Sequence, residues 1–416
     1  MVALYDVGIF FLRVLYQLAA IFNPKAKAFR DGRSQQVEKF NKVFDGKSTD
    51  RWVWFHCASL GEFEQGRPVI EALKLWNPSL KVLLTFFSPS GYEVRKNYES
   101  ADAVFYLPWD TKKNASWFAD NVKPALVVFV KYEFWYHYSA ELYKQKIPLI
   151  SIAAIFRKDQ SFFQSYGSLF RTLLGYFNHF FVQNEESVSL LRSIGINDVT
   201  LSGDTRFDRV HQIIQQSREI PLAHQFKNNQ KVMVVGSAWP ADMDVLYSFI
   251  NENKNSLKFI IAPHEISEEF IDSIENSIDG KSVRYSKAQE REELQNASVL
   301  IIDNIGLLSR LYRYGEFAFV GGGFGDGLHN ILEAACYGIP IFFGNRRYQK
   351  FQEATDLVLR GGAFEVTDFR DLKFKYELLS NHPEKILLAR EVTRQYVLEN
   401  LGATSRIVDY SKKFLI

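Results

Sequence analysis

Two acidic side chains and one arginine follow apolar segments in the first half of the chain. Glu62 ends a turn that begins at Ser59, Glu133 stands between aromatic residues, and Arg206 follows a glycine. A carboxylate at hydrogen-bond distance can take the proton of an attacking hydroxyl, as a general base does in glycosyl transfer. A guanidinium pairs bidentately with a phosphate or a sugar carboxylate. These residue types therefore indicate group transfer from an anionic donor.

Each of these side chains also has an ordinary structural interpretation. Glu62 suits the first turn of a helix, where the helix dipole favours a carboxylate. Glu133 fits a surface acid on a loop, and Arg206 fits a surface ion pair with Asp204 or Asp208. The residue types alone leave both interpretations open.

The strongest indication of ligand binding is the glycine-rich stretch FVGGGFGDGLHN at 319–330. An apolar run leads into it, and a helix is predicted to start near His329 or Asn330. Glycines let backbone N–H groups approach a phosphate, and a helix N-terminus adds partial positive charge. The spacing fits neither the dinucleotide fingerprint nor the P-loop. Glu333, one turn into the helix, is placed to hold ribose hydroxyls; a glycine turn without a ligand is the alternative.

Composition narrows the class of protein and its partners. The 50 basic and 48 acidic residues leave a net charge of +2, which argues against nucleic-acid binding. Two cysteines cannot build a disulfide framework and indicate a reduced cytosolic compartment. The sequence has no DxD-type pair at a strand end and no zinc-type ligand spacing. We therefore predict transfer without a metal, in which helix dipoles and cationic side chains stabilise the departing phosphate.

Apolar runs alternate with helical stretches and must position these residues. Runs typical of buried parallel strands occur at 52–58, 81–87, 103–108, 125–130, 148–154 and 179–184, and again at 231–239, 258–264, 298–303, 317–323 and 339–344. Because the series restarts, we predict an α/β fold of two Rossmann-like domains facing a cleft. Ligands of such sheets bind beyond the carboxyl ends of the strands. The candidate residues stand at these positions.

The predicted organisation has five parts. They are a membrane-associated helix with a basic flank (1–35), an N-terminal acceptor-binding domain (36–215), a linker (216–230), a C-terminal nucleotide-sugar donor-binding domain (231–381), and a C-terminal helix that packs back on the first domain (382–416).

The N-terminal stretch 3–22 is strongly apolar, although Asp6 and Arg13 interrupt it, and basic residues follow at 25–33. A spanning helix needs about 20 apolar residues with few charges. We expect an in-plane or shallow anchor whose cationic flank faces anionic lipid headgroups. The alternative is a hydrophobic helix that docks on the protein's own core.

In order and spacing, these segments resemble the 3-deoxy-D-manno-octulosonic acid (Kdo) transferases of lipopolysaccharide synthesis. The motifs that carry the resemblance are SLGE at 59–62, LTFFSPSGYE at 84–93, YLPWDT at 106–111, EFW at 133–135, GDTRFD at 203–208 and HNILE at 329–333. Each motif is modest alone, but together they span nearly the whole chain.

The resemblance implies a GT-B fold and an inverting transfer from CMP-Kdo to a phosphorylated lipid A precursor at the cytoplasmic face of the inner membrane. It makes Glu62 the general base, and it assigns Glu133 and Arg206 to assist the transition state. The residues that it places against CMP are Pro263, His264, Ile305, Gly306, Leu307, Asn330, Ile331, Leu332 and Glu333.

Three donor-side positions depart from the commoner family pattern. The usual Pro-Arg-His reads PHE at 263–265, Met-Gly-Glu reads IGL at 305–307, and Gly-Gly-His-Asn reads GLHN at 327–330. Arg346 and Arg347 are candidates to replace the lost cation, and a solvated basic pair is the alternative. The rival functions are a lipid A disaccharide synthase or nucleotide-sugar 2-epimerase on the same fold, and an inactive membrane-attached binding protein.

Overall fold

The computed structural model describes residues 2–34, 36–44, 50–216, 218–288, 291–325 and 327–416. The chain forms two compact units. The first extends to Asp208 and also includes Leu401–Ile416, and the second comprises Arg209–Asn400.

The first unit is built on a seven-stranded sheet of order β3-β2-β1-β4-β5-β6-β7, in which all neighbouring strands are parallel. Its strands are β1 (Trp52–Cys57), β2 (Lys81–Phe86), β3 (Ala103–Tyr106), β4 (Leu126–Val130), β5 (Leu149–Ala154), β6 (His179–Val182) and β7 (Val199–Leu201). The strand order reverses between β1 and β4. The carboxyl ends of these two strands therefore flank the crevice where such sheets bind ligands.

Helices cover both faces of this sheet. In chain order they are α1 (Val2–Phe22), α2 (Pro24–Ser34), α3 (Gln36–Val43), α4 (Leu60–Trp76), α5 (Pro89–Arg95), α6 (Lys112–Val122), α7 (Tyr136–Lys144), α8 (Ser168–Leu174), α9 (Glu185–Ser193) and the start of α10 (Thr205–Gln216). Alternate residues of β1 enter opposite cores: Trp54 packs with Phe118 and Phe129, whereas Phe55 packs with Ile70 and other aliphatic side chains. Burial on both faces explains why the strands read as continuous apolar runs.

The second unit repeats this architecture with the order β10-β11-β9-β8-β12-β13-β14, again parallel throughout. Its strands are β8 (Val232–Ala238), β9 (Lys258–Pro263), β10 (Ser282–Arg284), β11 (Val299–Ile301), β12 (Phe317–Val320), β13 (Ile341–Gly344) and β14 (Ala363–Val366). The order reverses between β8 and β12. The predicted fold of two Rossmann-like sheets is thus confirmed.

The remaining helices show how the segments predicted as a linker and a terminal helix fold. They are α11 (Pro221–Lys227), α12 (Pro240–Asn253), α13 (Glu268–Ser277), α14 (Arg291–Asn296), α15 (Leu308–Leu311), α16 (Leu332–Ala335), α17 (Gln352–Arg360), α18 (Phe369–Ser380), α19 (Pro383–Glu399) and α20 (Ala403–Lys412). The range 216–230 contains α11. The range 382–416 divides, since α19 belongs to the second unit and α20 packs on α4 in the first.

Helix α1 contacts the first unit through a narrow stripe. Ile9 and Ala20 are buried, and Tyr5 and Tyr16 are half-buried on the same face. The other faces expose large apolar side chains: Leu4, Val7, Phe10, Phe11, Val14, Leu15, Leu18, Ile21 and Phe22. By length and composition α1 can cross a membrane, and it is the one helix of the described residues that meets this test.

Candidate active site

Glu62 lies at the carboxyl end of β1, in the first turn of α4. Ser59 is the N-cap of this helix: its hydroxyl accepts from the Gly61 N–H at 3.2 Å and donates to the Glu62 carboxylate. The carboxylate is half-buried and sits at the positive end of the helix dipole. A capped helix N-terminus therefore holds this acid in place while leaving it partly open to solvent.

Glu133 follows β4 on the other side of the same switch point and is 8% exposed. Its Oε2 lies 2.9 Å from His56 Nε2 and accepts from the Trp135 indole N–H at 2.8 Å. A buried carboxylate requires such donors because its desolvation is otherwise costly. The interpretation of Glu133 as a surface acid is therefore wrong: it belongs to a buried polar network.

The network continues through the sheet from His56 to Thr85. The Thr85 hydroxyl accepts from the Trp54 indole N–H at 2.7 Å and lies 2.9 Å from His56 Nδ1. If the hydroxyl donates its hydrogen to Nδ1, then Nε2 carries the imidazole hydrogen and donates it to Glu133. His56 and Thr85 are both fully buried. Together they fix the orientation of the Glu133 carboxylate.

Cys57 ends β1 at this switch point and is fully buried. Burial, followed by the negative charges of Glu62 and Glu133, raises the pKa of the Cys57 thiol well above its ordinary value. Glu62 follows β1 and Glu133 follows the neighbouring strand β4, so the structure places both predicted residues at the carboxyl ends of adjacent strands. The thiol stays neutral and inert there.

Arg206 lies in the first turn of α10 and is held by Asp204. Its Nε donates to Asp204 Oδ2 at 2.8 Å, and its backbone N–H donates to Oδ1 at 2.9 Å. The neighbouring Thr205 hydroxyl donates to the Gln65 carbonyl of α4 at 2.5 Å. The ion pair that the sequence left open is thus present, and the Thr205–Gln65 bond docks this turn against α4, the helix that carries Glu62.

Asp208, the other acid considered for Arg206, has a different role. Its carboxylate accepts from the backbone N–H groups of Gly402 and Thr404, each at 2.7 Å. These bonds satisfy the N-terminus of α20, which therefore stays attached to the first unit.

On the second sheet an aromatic stack occupies the switch point between β8 and β12. The His264 ring stacks on Trp239 and on His329, with centroid distances of 4.4 Å in both pairs. The Trp239 indole N–H donates to His329 Nε2 at 2.8 Å. Burial, and then the neighbouring His264, lower the pKa of His329 to about 4. His264, which the sequence placed against CMP, is exposed on this stack.

The glycine-rich loop after β12 packs tightly against the start of α12. The Gly322 N–H donates to the buried Asp242 carboxylate at 2.8 Å, and the Trp239 N–H donates to the same oxygen at 3.0 Å. A Cβ on Gly321 would lie 2.2 Å from the Ser237 carbonyl oxygen. Burial raises the pKa of Asp242. Close packing therefore explains why residues 321 and 322 are glycines. The Gly322 N–H is already bonded to a protein carboxylate.

The remaining donor-side residues fall into two groups. Pro263 ends β9 and is buried, whereas Ile305 and Gly306 are exposed and Leu307 is half-buried just before α15. The second group surrounds α16. Its members are Asn330 and Glu333, which are half-buried, and Ile331 and Leu332, which are buried.

The predicted start of this helix at His329 or Asn330 is wrong, since α16 begins at Leu332. The physical reason is the Asn330 side chain, whose Oδ1 accepts from the Leu332 N–H at 3.2 Å. This bond closes a turn ahead of the helix.

Arg346 and Arg347 are both exposed, as a solvated basic pair would be, and the Arg346 guanidinium also donates to the Phe324 carbonyl of the glycine-rich loop at 3.0 Å. A cavity of about 510 Å³ adjoins that loop and is lined by Trp239, Pro240, Ala241, Gly325, Gly327, Leu328, His329 and Phe351. Its volume lies in the ordinary range of about 300–1,000 Å³ for small-ligand sites. Ring faces and loop backbone therefore form a binding surface within the second unit.

The residues that sequence reasoning missed are His56, Thr85, Trp239 and Asp242. His56 and Thr85 are polar residues inside apolar strands, and such residues require partners when buried. That signal was available for both, whereas their partners were not, since His56 and Glu133 are 77 positions apart.

Comparison with known proteins gives consistent matches. Residues 32–209 match the family described as 3-deoxy-D-manno-octulosonic-acid transferase (kdotransferase). The 3-deoxy-D-manno-octulosonic acid transferase of Aquifex aeolicus is 29% identical over 79% of this chain and 86% of its own. The enzyme of the same name from Rickettsia bellii is 23% identical over 98% of this chain and 95% of its own.

Among solved structures, UDP-GlcNAc 2-epimerase from Neisseria meningitidis aligns with a TM-score of 0.61 and 18% identity, covering 87% of this chain and 100% of that one. This likeness concerns the GT-B fold. The matches in sequence confirm the predicted resemblance to the Kdo transferases, a family of glycosyltransferases whose model matches residues 32–209 of this chain.

Proposed function

We propose that this chain transfers Kdo from CMP-Kdo to a hydroxyl of a phosphorylated lipid A precursor, with inversion, at the cytoplasmic face of the inner membrane. The observation that carries the proposal is the pair of carboxylates at the β1–β4 switch point, Glu62 at a capped helix N-terminus and Glu133 in a buried network. The pair lies inside the range 32–209 that matches the family.

Glu62 takes the role of general base. A sugar hydroxyl is a poor nucleophile at neutral pH and must lose its proton as it attacks the anomeric carbon. Attack from the face opposite the departing CMP inverts the configuration in one step. The half-buried carboxylate of Glu62 is open to solvent, so an incoming hydroxyl can reach it.

Glu133 and Arg206 assist the transition state in different ways. Glycosyl transfer passes through an oxocarbenium-like state that carries positive charge. Glu133, held by His56 and Trp135, supplies a fixed negative charge in a dry environment, where electrostatic effects are strong. Arg206, oriented by Asp204, supplies positive charge toward the anionic donor.

The second unit takes the role of donor binding. A flat nucleobase can bind in the cavity beside the stacked rings of His264 and His329. The ribose and phosphate can bind along the Asn330–Glu333 segment. We propose CMP as the nucleotide because the family resemblance implies it, and we propose that transfer needs no divalent metal.

The decisive test of the mechanism is Glu62→Gln, with Glu64→Gln as the matched control on the same helix. Glu64 pairs with Arg95 at 2.8 Å and is given no chemical role. General-base catalysis contributes about 10²–10⁴-fold, so Glu62→Gln should lower kcat by at least that order while CMP affinity stays unchanged. Near-normal turnover of Glu62→Gln would remove Glu62 from the role and make Glu133 the next residue to test.

A binding comparison separates the proposal from the rival enzymes on this fold. CMP at about 100 times its Kd should stabilise the folded protein by about 2.7 kcal/mol, whereas UDP should not. Equal protection by UDP and CMP in thermal unfolding would favour a UDP-sugar enzyme such as a disaccharide synthase or a 2-epimerase.

A further inference from the structure

A second cavity, of about 370 Å³, lies in the first unit among α2, α3, the end of β3 and the start of α6. Aromatic side chains form a large part of its wall, since Phe40, Phe105, Trp109 and Trp117 all line it. Ligand pockets of this size are typically apolar with a few placed polar groups. The cavity therefore suits an apolar ligand.

One polar side chain in the wall is held on both sides of its amide. Gln36 is 7% exposed, and its Oε1 accepts from the Tyr106 N–H at 2.6 Å. Its Nε2 is covered by protein, and the Gln36 side chain also interacts with the Tyr92 hydroxyl. Gln36 therefore fixes the shape of the wall between α3 and β3.

The cavity also carries positive charge that the first unit does not neutralise. The Arg33 guanidinium is packed over the Phe29 ring at 3.6 Å and donates to the carbonyls of Phe29, Leu107 and Phe87. No carboxylate of the described residues forms an ion pair with Arg33 within 4.0 Å. Lys113, also in the lining, is exposed. This charge is complementary to a phosphorylated molecule.

The cavity wall connects α1 with the Glu133 network. Trp109 packs against Tyr16 of α1 at 5.8 Å and against Phe87 at 6.0 Å. Phe87 packs in turn on Trp135 at 5.0 Å, and Trp135 donates to Glu133. The cavity thus lies between a helix that exposes apolar side chains and the candidate transition-state carboxylate.

We propose that this cavity holds one fatty-acyl chain of the phosphorylated lipid acceptor while the sugar hydroxyl reacts. The aromatic wall packs against the acyl chain, and Arg33 and Lys113 attract the phosphorylated head. This assignment rests on the proposed lipid acceptor. It predicts that the enzyme distinguishes acylated acceptors from the same sugar phosphate without its chains.

The test narrows the cavity without touching the candidate catalytic residues. Val37 is 55% exposed and lines the cavity, so Val37→Trp fills it from the rim. Val43→Trp on the same helix, at a position 37% exposed and outside the lining, is the matched control. Each methylene kept from burial lowers affinity about fourfold. We expect Val37→Trp to raise the KM for the acylated acceptor at least tenfold, and Val43→Trp to change it less than twofold.

Two further measurements separate this inference from the proposed function. A lipid A precursor carrying a diazirine at the end of one acyl chain should crosslink the full-length enzyme at cavity residues, and Val37→Trp should abolish these crosslinks. KM for the de-acylated acceptor should stay unchanged in both variants. Crosslinks confined to α1, or an equal KM for the two variants, would overturn the cavity assignment. Crosslinking at the cavity by an enzyme that transfers no Kdo would refute the proposed function and leave the lipid site standing.

Discussion

Acidification should destabilise the second unit through His329. The Trp239 indole nitrogen can only donate a hydrogen bond, and it lies 2.8 Å from His329 Nε2. That nitrogen must therefore be unprotonated in the folded protein. Protonation would set N–H against N–H beside the stacked His264 ring. Burial, followed by the neighbouring His264, lowers the pKa of His329 to about 4.

The sign and size of the effect follow from this pKa. A histidine in the unfolded chain titrates near 6.5. Between that value and about 4, the unfolded state binds a proton that the folded state refuses, so stability falls as the pH falls. The loss between pH 7 and pH 5 comes to about 2 kcal/mol for this residue. The contribution is fully present above pH 7.

The matched variant is His329→Gln, whose amide oxygen can still accept from Trp239 but does not titrate. Trp239 is the one tryptophan between residues 209 and 400, so a fluorotryptophan resonance at this position reports unfolding of the second unit. Urea unfolding gives the free energy of unfolding at pH 7 and at pH 5. The loss between these two pH values should be about 2 kcal/mol larger for the wild type than for the variant. A difference below about 0.5 kcal/mol, or an NMR titration of His329 above pH 6, would refute the reasoning.

Three other predictions follow from the structure and the proposed mechanism. Transfer from pre-formed CMP-Kdo should survive excess EDTA, and loss of activity that Mg²⁺ restores would contradict the metal-free proposal. Replacing the exposed Phe10 and Phe11 by Gln should lower co-sedimentation with anionic liposomes without changing CMP binding; unchanged sedimentation would place the attachment elsewhere. Gly321→Ala should destabilise the protein by about 1–3 kcal/mol, because its Cβ would lie 2.2 Å from the Ser237 carbonyl oxygen. Gly325→Ala, whose nearest contact is at 3.9 Å, is the control for urea unfolding, and equal stability of the two variants would contradict the packing argument.

The strands that the sequence did not predict share one property: β7, β10 and β14 are all edge strands. Each has only three or four residues, and Thr200, Arg284 and Glu365 interrupt their apolar character. Central strands are buried on both faces and therefore read as continuous apolar runs, whereas an edge strand is short and partly polar. The physical signal of an apolar run is weakest at the edges.

The candidate site divides in a similar way. Glu62 was predictable because a serine cap and a first-turn acid leave a local signature. For Glu133, the neighbour Trp135 is local, but His56 was not predictable as a partner, because it meets Glu133 through the pairing of β1 with β4. Asp242 was hidden for the same reason, since its donor Gly322 is 80 positions away. Contacts across a parallel sheet depend on topology, which the periodicity of one segment does not contain.

Each switch point contains a tryptophan beside a histidine, but the surroundings of the two histidines differ. In each, an indole nitrogen lies beside a histidine: Trp135 Nε1 is 3.1 Å from His56 Nε2 but donates to Glu133, whereas Trp239 donates to His329 at 2.8 Å. The first histidine also meets a carboxylate, Glu133, so its crevice holds an ionisable network. The second meets a histidine ring instead, and burial keeps it neutral at physiological pH. Charged, oriented groups suit a step in which a proton is transferred and positive charge develops on a sugar. Neutral stacked rings suit a nucleobase, which binds and is released without reacting. This difference favours chemistry in the first unit and nucleotide binding in the second.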